Sequence, residues 1–204
     1  KKNKLNIIQS NLSLIDIKEI PDFKYFVKNS SNLDYFTHTS NNYIFFQFKY
    51  NFFKELNWSF KEFELIINFL ETKYEKVIFS SDLEKNSFDE LFEKNYSFID
   101  FEKNANFIKK NNKRVIYLKK VDPLNLFLII KKANKILGPH GLITQLAYLL
   151  GKQSINLFNF KIKNLNDYYH QKISFSEWYS NMGINFIFLN SDINKSIRKI
   201  SKFI

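Results

Sequence analysis

The chain has 204 residues, 45% of them hydrophobic, which is enough for one sizeable core or for a domain plus an appendage. It contains no cysteine, which excludes disulfides and cysteine-based zinc or thiol chemistry and fits a reducing compartment; it also lacks any apolar run long enough for a transmembrane helix. Thirty-one basic against 20 acidic residues give a net charge of +11, but the lysines are scattered rather than striped along one helix face. A nucleic-acid partner is therefore not expected, while a smaller anionic partner or a membrane surface is.

In chain order, residues 1–40 are polar and rich in Asn and Ser, and read as a linker or the end of a preceding domain; residues 41–204 read as the folded unit. No secretory leader is visible, and the Lys1-Lys2 start is that expected of a piece of a longer protein. Tyr43–Phe48 (YIFFQF) is a continuous apolar run, the pattern of a strand buried on both faces. The following KYNFFKELN reads as a loop. Trp58–Tyr74 is an amphipathic helix with Phe60, Phe63, Ile66, Ile67 and Leu70 on one face, and Ser59 with Glu62 forms a capping box. Lys76–Ser80 is a second strand, ending in the polar Ser80-Ser81-Asp82. Phe88–Lys94 reads as a short helix, Asn104–Asn112 as a polar connection and Arg114–Leu118 as a third strand. Asp122 then caps a helix that starts with Pro123 and runs to about Lys132.

The segment Ala133–Phe158 is the most telling. It predicts a strand (Lys135–Leu137), a tight turn Gly138-Pro139-His140-Gly141, a helix (Leu142–Leu150), then Gly151 and a strand (Ser154–Phe158). Three of the four glycines of the chain fall here. Glycine where a strand turns into a helix lets the backbone approach a ligand, and the helix start supplies unpaired N–H groups that suit phosphate. This is either a phosphate-binding turn at the carboxyl end of a parallel strand or a plain strand–helix turn without a ligand. The tail adds a strand (Asn185–Leu189) and a helix (Asp192–Phe203). Alternating strands and helices predict an α/β fold: a parallel sheet with right-handed crossovers and helices on both faces. Tyr43–Phe48, Lys76–Ser80, Arg114–Leu118, Lys135–Leu137 and Ser154–Phe158 are expected to be neighbours in it.

Four stretches, in this order, carry a likeness: YIFFQFKYNFFKELNWSFKEFELIINFL, KVIFSSD, DPLNLFLIIKKANKIL and GPHGLITQLAYLLGKQSINLF. Together they resemble the carboxyl-terminal donor-binding domain of GT-B glycosyltransferases, in particular the heptosyltransferase-like glycosyltransferase family 9. The family's Asp-Thr/Ser-Gly is His140-Gly141-Leu142 here, and its histidine one turn later falls on Gln145. The Pro-His-Gly turn is also similar to that of family 61. The resemblance implies a Rossmann-like sheet forming one half of a GT-B fold, and a nucleotide sugar as donor substrate rather than as a bound cofactor. It further implies inverting, metal-independent transfer to a cell-envelope glycan or lipid-linked glycan acceptor, in the cytoplasm or peripherally at the inner face of the membrane. A non-catalytic α/β module that binds a glycan or a protein is the other reading of the same residues.

The candidate site follows from both lines of reasoning. His140, as imidazolium or as a neutral N–H donor, is placed to bind a diphosphate oxygen and stabilise the leaving nucleotide; the alternative is a turn histidine bonded to a neighbouring carbonyl. Gly138, Gly141 and Leu142 offer close backbone approach, and Thr144 and Gln145 lie in the first helical turn, within reach of phosphate or ribose. Lys54 matches the family's loop lysine, with Lys49 nearby as a second choice. Trp58 reads as a packing anchor for that loop. Ser80 and Ser81 end the second strand on the same sheet edge, suited to base or ribose hydrogen bonds, and Glu177-Trp178 could line the cleft mouth. His38 and His170 stand alone, and no carboxylates or histidines occur at metal-ligand spacing, so no metal site is expected.

Overall fold

Tyr43–Gln47 forms β1, and all five of its residues are buried. The computed structural model describes residues 42–82, 85–103, 106–108, 114–159 and 185–204; the expected linker over 1–40 lies outside them. The chain continues through α1 (Tyr50–Glu55), α2 (Phe60–Glu71), β2 (Lys76–Ser80) and α3 (Asp89–Asn95). Next come β3 (Ser97–Asp100), a single 3₁₀ turn (Phe101–Lys103), β4 (Asn106–Ile108), β5 (Val115–Lys119) and α4 (Pro123–Lys132). Then follow β6 (Lys135–Pro139), α5 (Leu142–Leu149), β7 (Ser154–Asn159), β8 (Asn185–Leu189) and α6 (Ile193–Ile200).

Among the described residues the strands form one sheet in the order β4-β3-β5-β2-β1-β6-β7-β8. Every pairing is parallel except that of β3 with β4. The five strands expected to be neighbours are contiguous at its centre. This is the anticipated Rossmann-like α/β arrangement, with helices on both faces.

The alternation of side chains across each strand divides the core in two. Ile44, Phe46, Val77, Phe79 and Leu137 face α2, α3 and α6. Tyr43, Phe45, Ile78, Ile116 and Ile136 face α4 and α5. The first face is dominated by aromatic rings. Phe48 lies 4.6 Å from Phe53, 5.4 Å from Phe63 and 5.1 Å from Phe92, mostly tilted or edge-on, the geometry favoured by ring quadrupoles. Ser59 caps α2 with Glu62 completing the box, and hydrogen bonding to Ser59 holds the Glu62 carboxyl below its usual range. Arg114 closes the other end of α2 by donating to the carbonyls of Glu71, Tyr74 and Glu75.

Three expectations need correction. KYNFFKELN is not a loop: Asp82 Oδ2 accepts the N–H of Tyr50 at 3.1 Å, and α1 winds from there with Phe53 fully buried. Two short strands, β3 and β4, were not anticipated; β4 lies inside the stretch read as a polar connection, and β3 gains its order by pairing with β5. Finally, β6 runs through Gly138 and Pro139, which pair with β7, so the turn is confined to His140 and Gly141.

Because Phe63 sits amid seven other rings of this face, Phe63→Ala should lower unfolding free energy by about 3–5 kcal/mol in a urea titration. Ser59→Ala should cost only about 1 kcal/mol.

Candidate functional site at the sheet's carboxyl edge

The strand order reverses between β1 and β6. From β1 the chain turns to the face of α2; from β6 it turns to the opposite face and enters α5. Open α/β sheets form a crevice at such a switch point. Here a cleft of about 160 Å³ opens at the carboxyl ends of β1, β2, β5 and β6. Gln47, Lys49, Ser80, Ser81 and Asp82 form its polar wall, and Val121, Pro123, Leu126, Leu142 and Ile143 form its apolar wall.

Lys49 immediately follows β1, and its ammonium reaches the start of α5: a Cβ built on Gly141 would lie 3.0 Å from Lys49 Nζ. Gly141 is the N-cap of α5 with φ +154°, a conformation that favours glycine. Having no side chain, it leaves the first N–H groups of that helix without a side-chain cap. Leu142, the first helical residue, is 53% exposed at the cleft.

His140 lies on the other side of β6. Its backbone N–H donates to the carbonyl of Leu157 at 3.2 Å, and its ring stacks on Phe158 with centroids 5.4 Å apart. Burial, and secondarily the charge of Lys49, hold its imidazole below the ordinary value of 6.5. The side chain is thus neutral at neutral pH, and it is outside the lining of the cleft.

The other expected residues fall into groups. Gly138 is buried in β6 against Gln47. Ser80 Oγ donates to Gln47 Oε1 at 2.8 Å. Ser81 sits in a buried cluster: its hydroxyl lies 2.8 Å from Tyr117 OH and 3.2 Å from Asp89 Oδ1, and Asn86 donates to the same carboxylate. Burial pushes the Tyr117 hydroxyl well above its ordinary range, which keeps it protonated. Lys54 is exposed in the last turn of α1 and does not line the cleft; Lys49 takes the position that a loop reading had assigned to it. Trp58 is a packing anchor, 5.2 Å from Phe53 with its indole donating to Ser191 O. The side chains of Thr144 and Gln145 lie outside the described residues, as do Glu177, Trp178, His38 and His170. Among the described residues, no three His, Asp or Glu side chains gather in a way that could hold a metal ion.

From the sequence, Lys49 is only a second choice and Gln47 is not singled out, and both line the cleft. The signal that could have found them is positional: the last residue of a parallel strand and those just after it line the crevice.

No protein-family model and no curated relative matches the chain. Among solved structures it is similar to UDP-GlcNAc 2-epimerase from Methanocaldococcus jannaschii, with 18% identity, a TM-score of 0.50, and coverage of 85% of this chain and 42% of the other. It is likewise similar to Methanocaldococcus jannaschii UDP-GlcNAc 2-epimerase in complex with UDP-GlcNAc and UDP, at 17% identity, TM-score 0.51, and coverage of 97% and 52%. The fold is GT-B-like. The chain spans about half the length of those enzymes, and at this identity the likeness concerns architecture. It does not point to family 9 in particular.

A depressed histidine pKa has a definite sign. The neutral imidazole contributes stability that is complete above the unfolded value of 6.5 and is lost as pH falls from there toward the folded value. His140 should therefore titrate below 6.5 by proton NMR, and Lys49→Met should raise its midpoint only part of the way back, because burial is the larger cause. The acid limb of the stability curve should be shallower in His140→Gln.

Proposed function

We propose that this chain is the donor-binding half of a GT-B-type enzyme and that the cleft holds the diphosphate of a nucleotide sugar. The observation that carries this reading is the convergence, at the switch point, of the Lys49 ammonium with the uncapped start of α5 at Gly141. Two positive features directed at one point leave a place for an anion, and backbone N–H groups at a helix start suit phosphate oxygens. The +11 charge of the chain also favours an anionic partner.

The chemistry this arrangement supports is departure of a nucleoside diphosphate. As the bond from the anomeric carbon to the diphosphate oxygen breaks, negative charge grows on that oxygen, and fixed donors stabilise it without reorganising. In the transferase reading, an acceptor hydroxyl displaces the diphosphate with inversion, and a base from a second domain takes its proton. The acceptor is then a cell-envelope or lipid-linked glycan, reached in the cytoplasm or from the inner membrane face. No helix among the described residues is long and apolar enough to cross a membrane. Leaving-group stabilisation by Lys49 and the helix start takes the place of a metal ion in this scheme.

A second reading, favoured by the likeness to a UDP-GlcNAc 2-epimerase, keeps the same diphosphate contacts but changes the sugar of a uridine nucleotide instead of passing it on. Both readings require the same first event, so nucleotide binding tests them together against the non-catalytic module.

Calorimetry with UDP and UDP-GlcNAc in the presence of EDTA should give dissociation constants between about 1 μM and 1 mM. Lys49→Ala should weaken binding by about 1–3 kcal/mol, as expected for loss of a charge-assisted hydrogen bond, while Lys54→Ala should change it little. Gly141→Val should be the more damaging substitution, because a β-branched residue resists the positive φ found there. Strict dependence on magnesium or manganese would remove the metal-free scheme. An absence of nucleotide binding, with a glycan or protein bound instead, would favour the non-catalytic module.

A further inference from the structure

The floor of the cleft is made by Gln47, only 6% exposed, and Ser80, 1% exposed. The amide orientation of Gln47 is set by its neighbours. The carbonyl of Phe48 can only accept, so the nitrogen faces it, at 3.1 Å; the amide oxygen then faces Ser80, whose hydroxyl donates at 2.8 Å. A primary amide has two N–H donors, and Phe48 uses one of them. Gln47 thus brings to the floor of the cleft a second donor hydrogen on a group held at both ends.

Room for this arrangement comes from the facing strand. One position beyond the last paired residues of β1 and β6, Phe46 and Leu137, Gln47 lies against Gly138. A Cβ on Gly138 would lie 2.8 Å from Gln47 Cβ, closer than real Cβ atoms approach, and a tight 3.2 Å from the Gln47 carbonyl oxygen. The first is the root of the Gln47 side chain, fixed by the backbone, and the second is backbone itself, so relief would require moving β1. Gly138 has no positive φ, and its buried position in a strand is not a turn. Its missing side chain lets β1 approach β6 closely at Gln47.

We infer that Gln47 is a ligand-reading residue of the cleft, donating its second amide hydrogen to a phosphoryl oxygen, and that Gly138 is the positioning residue that admits it. This rests on the nucleotide-sugar reading above and adds a specificity element to it. With Lys49 two residues on and the helix start opposite, the donors at this end of the cleft complement a group whose exposed oxygens all accept. A ligand presenting a donor there would leave the Gln47 hydrogen facing another hydrogen, at a cost.

The test uses the 204-residue chain with UDP and inorganic pyrophosphate as probes. In the wild-type chain labelled with nitrogen-15, the side-chain amide resonance of Gln47 should move on titration with either probe. Gln47→Glu keeps the size and the acceptor for Ser80 but places a carboxylate at the floor, and should weaken both probes by about tenfold or more. Gln47→Ala should weaken them similarly, and Gly138→Ala should both weaken them and move the Gln47 amide resonance of the free chain, because a Cβ there displaces β1 at Gln47. Thermal melts of each variant report folding separately, and the wild-type resonance needs no variant. If Gln47→Ala leaves both affinities unchanged, or Gly138→Ala leaves the Gln47 resonance in place, the inference is overturned. An unmoved Gln47 resonance, with Lys49→Ala still weakening UDP, overturns it while leaving the nucleotide reading intact. A loss confined to UDP, with pyrophosphate unaffected, overturns the phosphoryl assignment. Failure of the wild type to bind either probe overturns the nucleotide reading and this inference with it.

Discussion

Parallel pairing of β1 with both β2 and β6 obliges the chain to leave the sheet after each strand and to return to its far end by a crossover. Since β1 is buried on both faces, those crossovers must cover it on both sides, and they do so in opposite senses. The exits from β1 and β6 therefore diverge, and the gap between them is the cleft. Its existence follows from topology. What fills it follows from a few side chains near the strand ends.

The same geometry explains how a lysine and a helix start come to share one place. The backbone that carries Lys49 is fixed on one side by Phe48, packed among four phenylalanines, and on the other by the Asp82 contact to the N–H of Tyr50. The ammonium consequently extends from a rigid base toward Gly141 and loses less freedom on binding than a lysine on an open loop would. An apolar wall across the cleft reduces competition from water for that charge.

Much of this architecture was legible because the central strands are uninterrupted apolar runs and the long helices carry caps. YIFFQ, KVIFS and SINLF can hardly sit anywhere but inside a parallel sheet, and Ser59-Glu62 and Asp122-Pro123 mark helix starts unambiguously. The elements missed are those whose order comes from distant partners. Helix α1 is six residues long, too short for periodicity to show, and is held by Asp82 and by the burial of Phe53. Strand β3, SFID, has no strong pattern of its own and is ordered through β5. Reading 49–57 as a loop made Lys54 look as available as Lys49, whereas a single turn of helix carries Lys54 away. Likewise, the partnership of Ser81 with Tyr117 and Asp89, and that of Gly138 with Gln47, depend on cross-strand register, which spacing along the chain does not contain.

One feature of the sheet bears on how the protein behaves in concentrated solution. At one margin of the described sheet lies β4, three residues long and antiparallel to its only neighbour there. A long parallel margin would present a ladder of unsatisfied amides on which strands of other molecules could assemble end on end. A strand this short offers too few such groups to template addition, and its reversed direction breaks the repeat that a growing fibre would need to copy. A sheet rich in phenylalanine, whose core would be hazardous if propagated between molecules, thereby carries at this margin of the described residues a strand of only three residues.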